Sequence, residues 1–374
     1  MLNSTLIKWL SRDVPDKSSG LTARKNIALF TDIGLKRSQN QDRVACLKVS
    51  GNEKNDGGFL AIAISDGMGG MKDGAECATR AIASFFNSLI KYRHRPEMER
   101  LRQSTIDSND CVYDFSGGAG GATLSALLIT EKHGTFSVNV GDSRIYAETI
   151  ESPRQLRRLT TDDSLAEAVG GHGRELLQFM GMGPGIRPHI SFINNTYNRF
   201  LLTTDGIHFP EESMFSSIFI NSADIYQAAQ RLGTLARWLG APDNASGAVV
   251  SLQDAKELIT KDESSIQILD PFSELHIAWI KDEVRNHSPN ELRPIERQPP
   301  APSSTPALPV EIGNEPEAKT PPDNDQRPSP NKNRKSKAKK KTKLPKVEAP
   351  KDEDLQIVIE MDIEHKDSAD DSSK

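Results

Sequence analysis

The sequence predicts an α+β fold of layered, mainly antiparallel sheets, and three observations carry that expectation. Short apolar, β-prone runs come in pairs joined by turn residues, as hairpins require. Two consecutive helical patterns interrupt them. A long C-terminal portion, about residues 286–352, is rich in Pro, Ser, Asn, Lys and Glu and nearly free of aromatics, so it cannot bury enough apolar surface to offset its ordering entropy. That leaves, of 374 residues, one domain of roughly 230–260 residues, ample for a core.

The elements follow in order. Residues 1–24 read as a leader with a short helix around Leu6–Leu10. Asn26–Thr31 is a strand entering Asp32-Ile33-Gly34, and Arg43–Val49 is a second strand after Asp42. The continuous apolar run Phe59–Ser65 reads as a buried strand. From Asp73 to Tyr92 apolar residues recur at helical spacing (Ala78, Ile82, Phe85, Phe86, Leu89), and a second helix covers Glu97–Tyr113. Ala122–Thr130 with Gly134–Val140 forms one hairpin, and Arg144–Thr149 with Gln155–Leu159 another. Residues 164–186 are Gly-rich, with a short helix near Glu175–Met180. Strands His189–Ile193 and Arg199–Thr204, a helix over Ala223–Leu239 and a closing strand Gly247–Leu252 complete the domain, here bounded at 25–256. Residues 257–285 read as an appended helical segment containing Trp279.

Charge lies in blocks. The net charge is only −5, yet nine of the sixteen residues from Asn331 to Lys346 are Lys or Arg, and the stretch after Val347 is mainly acidic. Residues 286–374 therefore read as a disordered, solvated tail that contacts charged partners or folds back on itself. Nucleic acid is one conceivable partner for the basic run 332–346. The apolar segment 354–363 has the character of a docking peptide that adds a strand to a sheet edge. Three widely spaced cysteines make neither a disulfide framework nor a zinc pattern, which fits a reducing cytoplasm. No stretch approaches the ~20 apolar residues that span a bilayer.

Five short segments centre on an aspartate beside Gly or Asn, most of them next to a β-prone run. They are Asn40-Gln41-Asp42, Ser65-Asp66-Gly67-Met68-Gly69-Gly70, Gly141-Asp142-Ser143-Arg144, Thr204-Asp205-Gly206 and Asp243-Asn244-Ala245-Ser246. Loops at strand ends can gather such carboxylates into one cluster. Gathered carboxylates repel one another unless a hard cation sits between them, and oxygen-only ligands suit Mg²⁺ or Mn²⁺. An Asp-Gly pair alone ends many strands. Three glycines within four positions after Asp66 ask for more than a turn, because they let the backbone approach an ion closely. Arg37, five residues before Asp42, is a candidate phosphate fork. No cysteine carries a nucleophile motif, and His189 and His208 read as structural.

Taken in order, Gly34-x-x-Arg37-x-x-Asn40-Gln41-Asp42, Asp66-Gly67-Met68-Gly69-Gly70 with Gly74 and Glu76, Gly121-Ala122-Thr123, Gly141-Asp142-Ser143-Arg144, Thr204-Asp205-Gly206 and Asp243-Asn244 resemble the metal-dependent (PPM, type 2C) Ser/Thr protein phosphatases, over about residues 26–254. The resemblance implies a four-layer αββα sandwich of two antiparallel sheets flanked by helices. It implies hydrolysis of phosphoserine and phosphothreonine by a metal-activated water, with two Mn²⁺ or Mg²⁺ ions bridged by Asp66. The Gly67 carbonyl would complete one site, and Asp205 and Asp243 would hold the other, with Asp42 directly or through water. Asp142, together with Asp205, would bind a third, weaker ion, and Arg37 would orient the phosphate. Phosphorylated proteins would be the substrates, and a Ser/Thr kinase would act in the same pathway.

The sequence departs from the family pattern in places. Gln41 stands where many members have Glu, which predicts a weaker metal site. Met68 stands where eukaryotic members carry His, which points to a bacterial type. Asp163 replaces a frequent His outside the metal cluster, and the substrate flap after it is short. Two other readings stay open: a catalytically weak regulatory or binding module that docks through its tail, and a hydrolase of small phosphoesters.

Overall fold

The computed structural model describes residues 2–14, 19–51, 57–170, 175–259 and 265–278. Helix α1 (Leu2–Leu10) is followed by strands β1 (Ser19–Ala23), β2 (Ile27–Asp32), β3 (Arg43–Val49) and β4 (Phe59–Ser65). Helices α2 (Gly74–Lys91) and α3 (Glu97–Ser116) come next, then β5 (Leu124–Thr130), β6 (Gly134–Val140), β7 (Arg144–Thr149), β8 (Leu156–Arg158) and the short helix α4 (Leu165–Val169). The chain continues through β9 (His189–Ile193), β10 (Tyr197–Thr203), α5 (Asp205–His208), α6 (Glu212–Ile220), α7 (Ile225–Trp238), β11 (Ala245–Ser251) and α8 (Leu252–Ile259), and a hairpin of β12 (Ser265–Leu269) and β13 (Glu274–Ala278).

The strands form two antiparallel sheets, ordered β1-β2-β11-β10-β7-β8 and β13-β12-β3-β4-β5-β6-β9. Period-two alternation sorts each strand between two apolar layers. Ile27, Leu29, Leu60, Ile62, Ile64, Phe200 and Leu202 fill the space between the sheets. Ala61, Ala63, Leu128 and Val138 face away from it, against Phe85, Phe86 and Leu89 of α2 and Leu101 of α3. Phe30, Tyr146 and Val249 pack against Phe215, Phe219 and Leu232 of α6 and α7. The result is the expected αββα sandwich. Because both faces of the central strands are covered, they read as continuous apolar runs rather than as alternating ones.

Three segments differ from the sequence expectation. The leader 1–24 belongs to the folded body: Leu6 and Leu10 are buried against α2, and β1 pairs with β2 along its whole length. Arg12 adds a two-pronged ion pair to Asp270, at 2.7 and 3.0 Å. A single i, i+4 apolar pair and a polar five-residue strand are too weak to announce themselves without their partners. Within the segment 257–285, expected as a helix, residues 257–259 end α8 and residues 265–278 instead form the β12–β13 hairpin, in which β12 extends the second sheet by pairing with β3. Its Ile266/Ile268 and Leu275/Ile277 alternation is the strand period, and Asp270 makes the turn by accepting from the Phe272 and Ser273 amides. In the flap, the helix is Leu165–Val169, capped by Ser164, while Leu176 and Met180 make isolated bridges to Ser164 and Ala122.

Trp279, the expected tail 286–374, its basic run and the segment 354–363 lie outside the described residues. No described helix is long and apolar enough to cross a membrane.

Candidate active site

Antiparallel pairing delivers the five aspartate loops to one end of the sandwich. Asp42 precedes β3 and Asp66 follows β4, and their flanking residues Arg43 and Ser65 are register partners. Asp205 follows β10 while Asp243 precedes β11, with Thr203 opposite Gly247. Asp142 lies in the loop from β6 to β7, and Arg144 pairs with Thr203. The structure thus brings together all the predicted carboxylates, and Arg37 reaches them from the β2–β3 loop.

Close backbone packing holds the loops. A Cβ on Gly67 would lie 2.3 Å from the Gly74 carbonyl oxygen, and one on Gly206 only 1.9 Å from that of Asn244, so both loops need glycine for contact and not for a special φ. Asn244 is the central staple. Its Oδ1 accepts from the Gln41 amide at 2.8 Å, and its Nδ2 donates to the carbonyls of Ile33 and Gln39 at 2.8 and 3.0 Å. Asn40 donates to Thr31 Oγ1, which shares a 2.7 Å hydrogen bond with Ser246. The Asp66 amide donates to Thr123 Oγ1, which is 2.6 Å from Ser143 Oγ, so the Asp142 loop buttresses the Asp66 loop.

The electrostatics are those of like charges forced together. Burial pushes the Asp66 carboxyl well above its usual range, and Asp42, Asp205, Asp142 and Asp243 push it further. Asp42 is raised to about 6, first by burial, against hydrogen bonds from Thr204 and Ser246. Thr204 Oγ1 donates to Asp42 Oδ2 at 2.8 Å, whereas Asp42 Oδ1 is buried without a hydrogen-bond partner. Arg37 is the counter-charge at the rim. Its Nη2 sits 2.6 Å from Asp243 Oδ2, and this bond, with the fields of Asp205 and Asp66, holds its charge more firmly than usual.

The donor set fits a hard divalent cation. It consists of oxygens alone, it includes a buried carboxylate oxygen with no other partner, and its summed charge asks for compensation. Among the described residues, however, no three His, Cys, Asp or Glu side chains are gathered closely enough to form a ready-made cage. Asp243 instead turns an oxygen to Arg37.

The remaining sequence-singled residues fall into supporting places. Asp163 lies among hydrogen bonds rather than carboxylates, accepting from the Gly141 amide at 3.0 Å and from Gln178, with His189 Nε2 at 2.8 Å. It therefore ties the Asp142 loop to the flap. His208 is buried and hydrogen-bonded to Thr203, and burial holds it well below its usual pKa. Met68 meets the flap side of the site, where a Cβ on Gly121 would lie 3.0 Å from its sulfur and 2.5 Å from the Phe179 ring. Sequence reasoning missed the pair Arg237–Asp32, at 2.6 Å, in which Asp32 also accepts from the Gly34 amide. Nothing in the spacing of residues 32 and 237 signals that contact.

A family model described as Protein phosphatase 2C matches residues 36–240. Protein phosphatase PhpP of Streptococcus pneumoniae is 24% identical over 255 residues, covering 61% of this chain and 98% of PhpP. Serine/threonine protein phosphatase PstP of Mycobacterium tuberculosis is 24% identical over 249 residues, covering 61% of this chain and 45% of PstP. Among solved structures, the PPM Ser-Thr phosphatase MsPP from Mycobacterium smegmatis, in complex with cacodylate, superimposes with a TM-score of 0.51 at 23% identity, covering 62% of this chain and 100% of that one. Serine/threonine phosphatase Stp1 from Staphylococcus aureus gives a TM-score of 0.51 at 22% identity, covering 64% of this chain and 99% of its own. These structural likenesses establish the shared fold.

Proposed function

The chain belongs to the protein phosphatase 2C family, and on that premise we propose that it hydrolyses phosphoserine and phosphothreonine on proteins at the carboxylate end of the sandwich, with two Mn²⁺ or Mg²⁺ ions. The observation that supports this reading most is the convergence of Asp42, Asp142, Asp205 and Asp243 on Asp66, with Arg37 at the exposed lip. Bound there, the ions would supply an activated water and neutralise charge on the phosphate.

The chain's own residues supply the rest. Asp66 and the Gly67 carbonyl would hold the ions jointly with Asp42, Asp205 and Asp243, and Asp142 with Asp205 would hold a weaker one. Asp243 has two claimants, a cation and Arg37. With Asp243 engaged as a ligand, Arg37 would lose its tie to Asp243 Oδ2 and its guanidinium would be free for phosphate, whose oxygens match its two-pronged geometry. Asn244, Thr204 and Thr123 hold the ligand loops so that little reorganisation accompanies binding.

In this reading the substrates are phosphoproteins, a Ser/Thr kinase supplies them, and the reaction takes place in the cytoplasm, in keeping with the free cysteines Cys46, Cys77 and Cys111. The catalytic body then includes α1 and the β12–β13 hairpin, and a chain ending near residue 290 retains its activity.

The test is phosphate release from a phosphothreonine peptide and from p-nitrophenyl phosphate, with Mn²⁺ and with EDTA, for wild type beside Asp66→Asn. Release that needs Mn²⁺ and disappears in the variant supports the reading. A folded wild type that releases no phosphate with any divalent metal overturns it. Calorimetric titration with Mn²⁺ then tells whether the ions or the chemistry fail.

A further inference from the structure

The Asp142 loop is clamped from outside the carboxylate cluster. Gly141, just before Asp142, donates its amide to Asp163 Oδ2 at 3.0 Å, and its carbonyl accepts from the Asp163 amide at 3.0 Å. Asn139 Nδ2 donates to the same carbonyl at 3.2 Å. Gly141 holds a φ of +98°, which favours glycine, and a Cβ there would lie 2.7 Å from the Thr123 side chain, whose hydroxyl accepts from the Asp66 amide. The residue that aims Asp142 is thus fixed in an unusual conformation against the staple of Asp66, and Asp163 grips it at both its donor and its acceptor.

Asp163 is only 7% exposed, and a buried carboxylate is tolerated where hydrogen bonds satisfy it. Here they come from three separate segments. Oδ2 faces Gly141, while Oδ1 accepts from Gln178 Nε2 of the flap at 2.9 Å and lies 2.8 Å from His189 Nε2 at the start of β9. Gln178 is itself fixed, its Oε1 accepting from the Arg187 amide at 2.7 Å. His189 is the register partner of Asn139, the other donor to the Gly141 carbonyl. Resting on the phosphatase reading above, we propose that Asp163 is a positioning residue. Through Gly141 it sets the direction of the Asp142 carboxylate, and with it the affinity of the weaker ion that Asp142 and Asp205 would share. Its own oxygens are engaged by Gly141, Gln178 and His189, so it acts on that ion only through Asp142. Removing an outer partner of this kind costs roughly 10–100-fold in metal affinity. The ions on Asp66 depend little on Asp163, because Thr123 holds the Asp66 amide directly.

The test is calorimetric titration of the metal-stripped full chain with Mn²⁺, for wild type, Asp142→Asn and Asp163→Ala. Wild type is expected to show a tight class and a weaker class of sites, and Asp142→Asn to lose the weaker one. Asp163→Ala is expected to weaken that class by about tenfold and to leave the tight class within about twofold. General damage to the fold would move both classes, so the split separates positioning from a merely structural role. Asp163→Asn keeps the size and one acceptor oxygen, and it serves where Asp163→Ala does not fold. Its amide nitrogen then faces another N–H, so a smaller shift of the same sign is expected. A weaker class left unchanged in a folded Asp163 variant, or an equal loss in both classes, overturns the proposal. Tight binding without a weaker class that depends on Asp142 overturns this proposal alone, whereas a wild type that binds no Mn²⁺ overturns the phosphatase reading with it.

Discussion

Strands β7 and β10 carry acids at both of their ends, and the two ends follow opposite rules. At one end Glu148 is fully buried, and its partners are cations or amides. Arg199 donates to both of its oxygens at 2.7 and 2.9 Å, and Arg154 adds 3.1 Å. Arg199 spends its other donors on the carbonyls of Phe219 and Ser222, closing the C-terminal end of α6. At the other end Asp142 and Asp205 follow or precede the same strands, and their neighbours are Asp42, Asp66 and Asp243. The first arrangement is complete as it stands. The second is complete only with something positive added. A buried charge that is matched is costly only when its partner is removed, and one that is not matched marks where binding energy can be gained.

The sharpest way to break the comparison is to remove one charge from each end. Asp66→Asn is expected to lower metal-dependent turnover by on the order of 10²–10³, while the metal-free variant melts no lower than wild type, since Asn carries no carboxyl whose charge burial and the neighbouring aspartates penalise. Phosphate release and calorimetry on the same sample check both halves. Arg199→Met should do the reverse. It leaves the buried Glu148 with only the half-exposed Arg154 and the Asn198 amide, so stability falls by up to about 3–5 kcal/mol, while turnover per folded molecule is retained. Urea denaturation beside active-site titration reads that outcome.

Proton linkage sharpens the contrast further. Asp42, at about 6, and Asp66 hold protons in the metal-free fold that the unfolded chain has already released. The Asp42 contribution is therefore present below the ordinary carboxylate range and lost as pH rises through about 6, and Asp66, also raised, adds a loss of the same sign. The melting temperature of EDTA-treated protein should fall by several degrees between about pH 4.5 and 7, and the gain on adding Mn²⁺ should grow over the same interval. A melting temperature that instead rises across that window in EDTA would show the Asp42 and Asp66 carboxylates to be charge-matched in the metal-free fold.

The smallest expected effect concerns Gln41. Its side-chain amide packs beside Gly74, and its own amide hydrogen is held by Asn244, at the edge of the carboxylate cluster. Gln41→Glu adds one negative charge there without a change of size. It should lower the Mn²⁺ concentration for half-maximal activity by about threefold to tenfold, since charge count tunes hard-cation sites. An unchanged or raised midpoint would place residue 41 outside the ions' reach.

Much of this site is legible in the sequence. The aspartates sit beside β-prone runs, and antiparallel pairing of such runs leaves their connecting loops at shared ends, so Asp42 and Asp66 were bound to meet once β3 and β4 paired. Asn40, Thr123, Thr204, Asn244 and Ser246 stand within the motifs, but their work as staples is not legible there, because hydrogen bonds between residues 9 to 215 positions apart leave no local pattern. The same holds for Arg237 and Asp32, and for Arg199 and Glu148. The β12–β13 hairpin was misread because five-residue alternating strands compete poorly with a helical reading until β3 offers them an edge.

The sequence by itself determined the strand and helix periods, the order of the aspartate motifs and the glycines that let backbones touch at Gly67 and Gly206. These are properties of neighbours in the chain, and short-range sterics decides them. Only the tertiary structure decided that Asp42 keeps a buried oxygen without a partner and that Arg37 rests on Asp243. Those outcomes depend on burial and on the field of distant charges, which exist only when all four layers are in place.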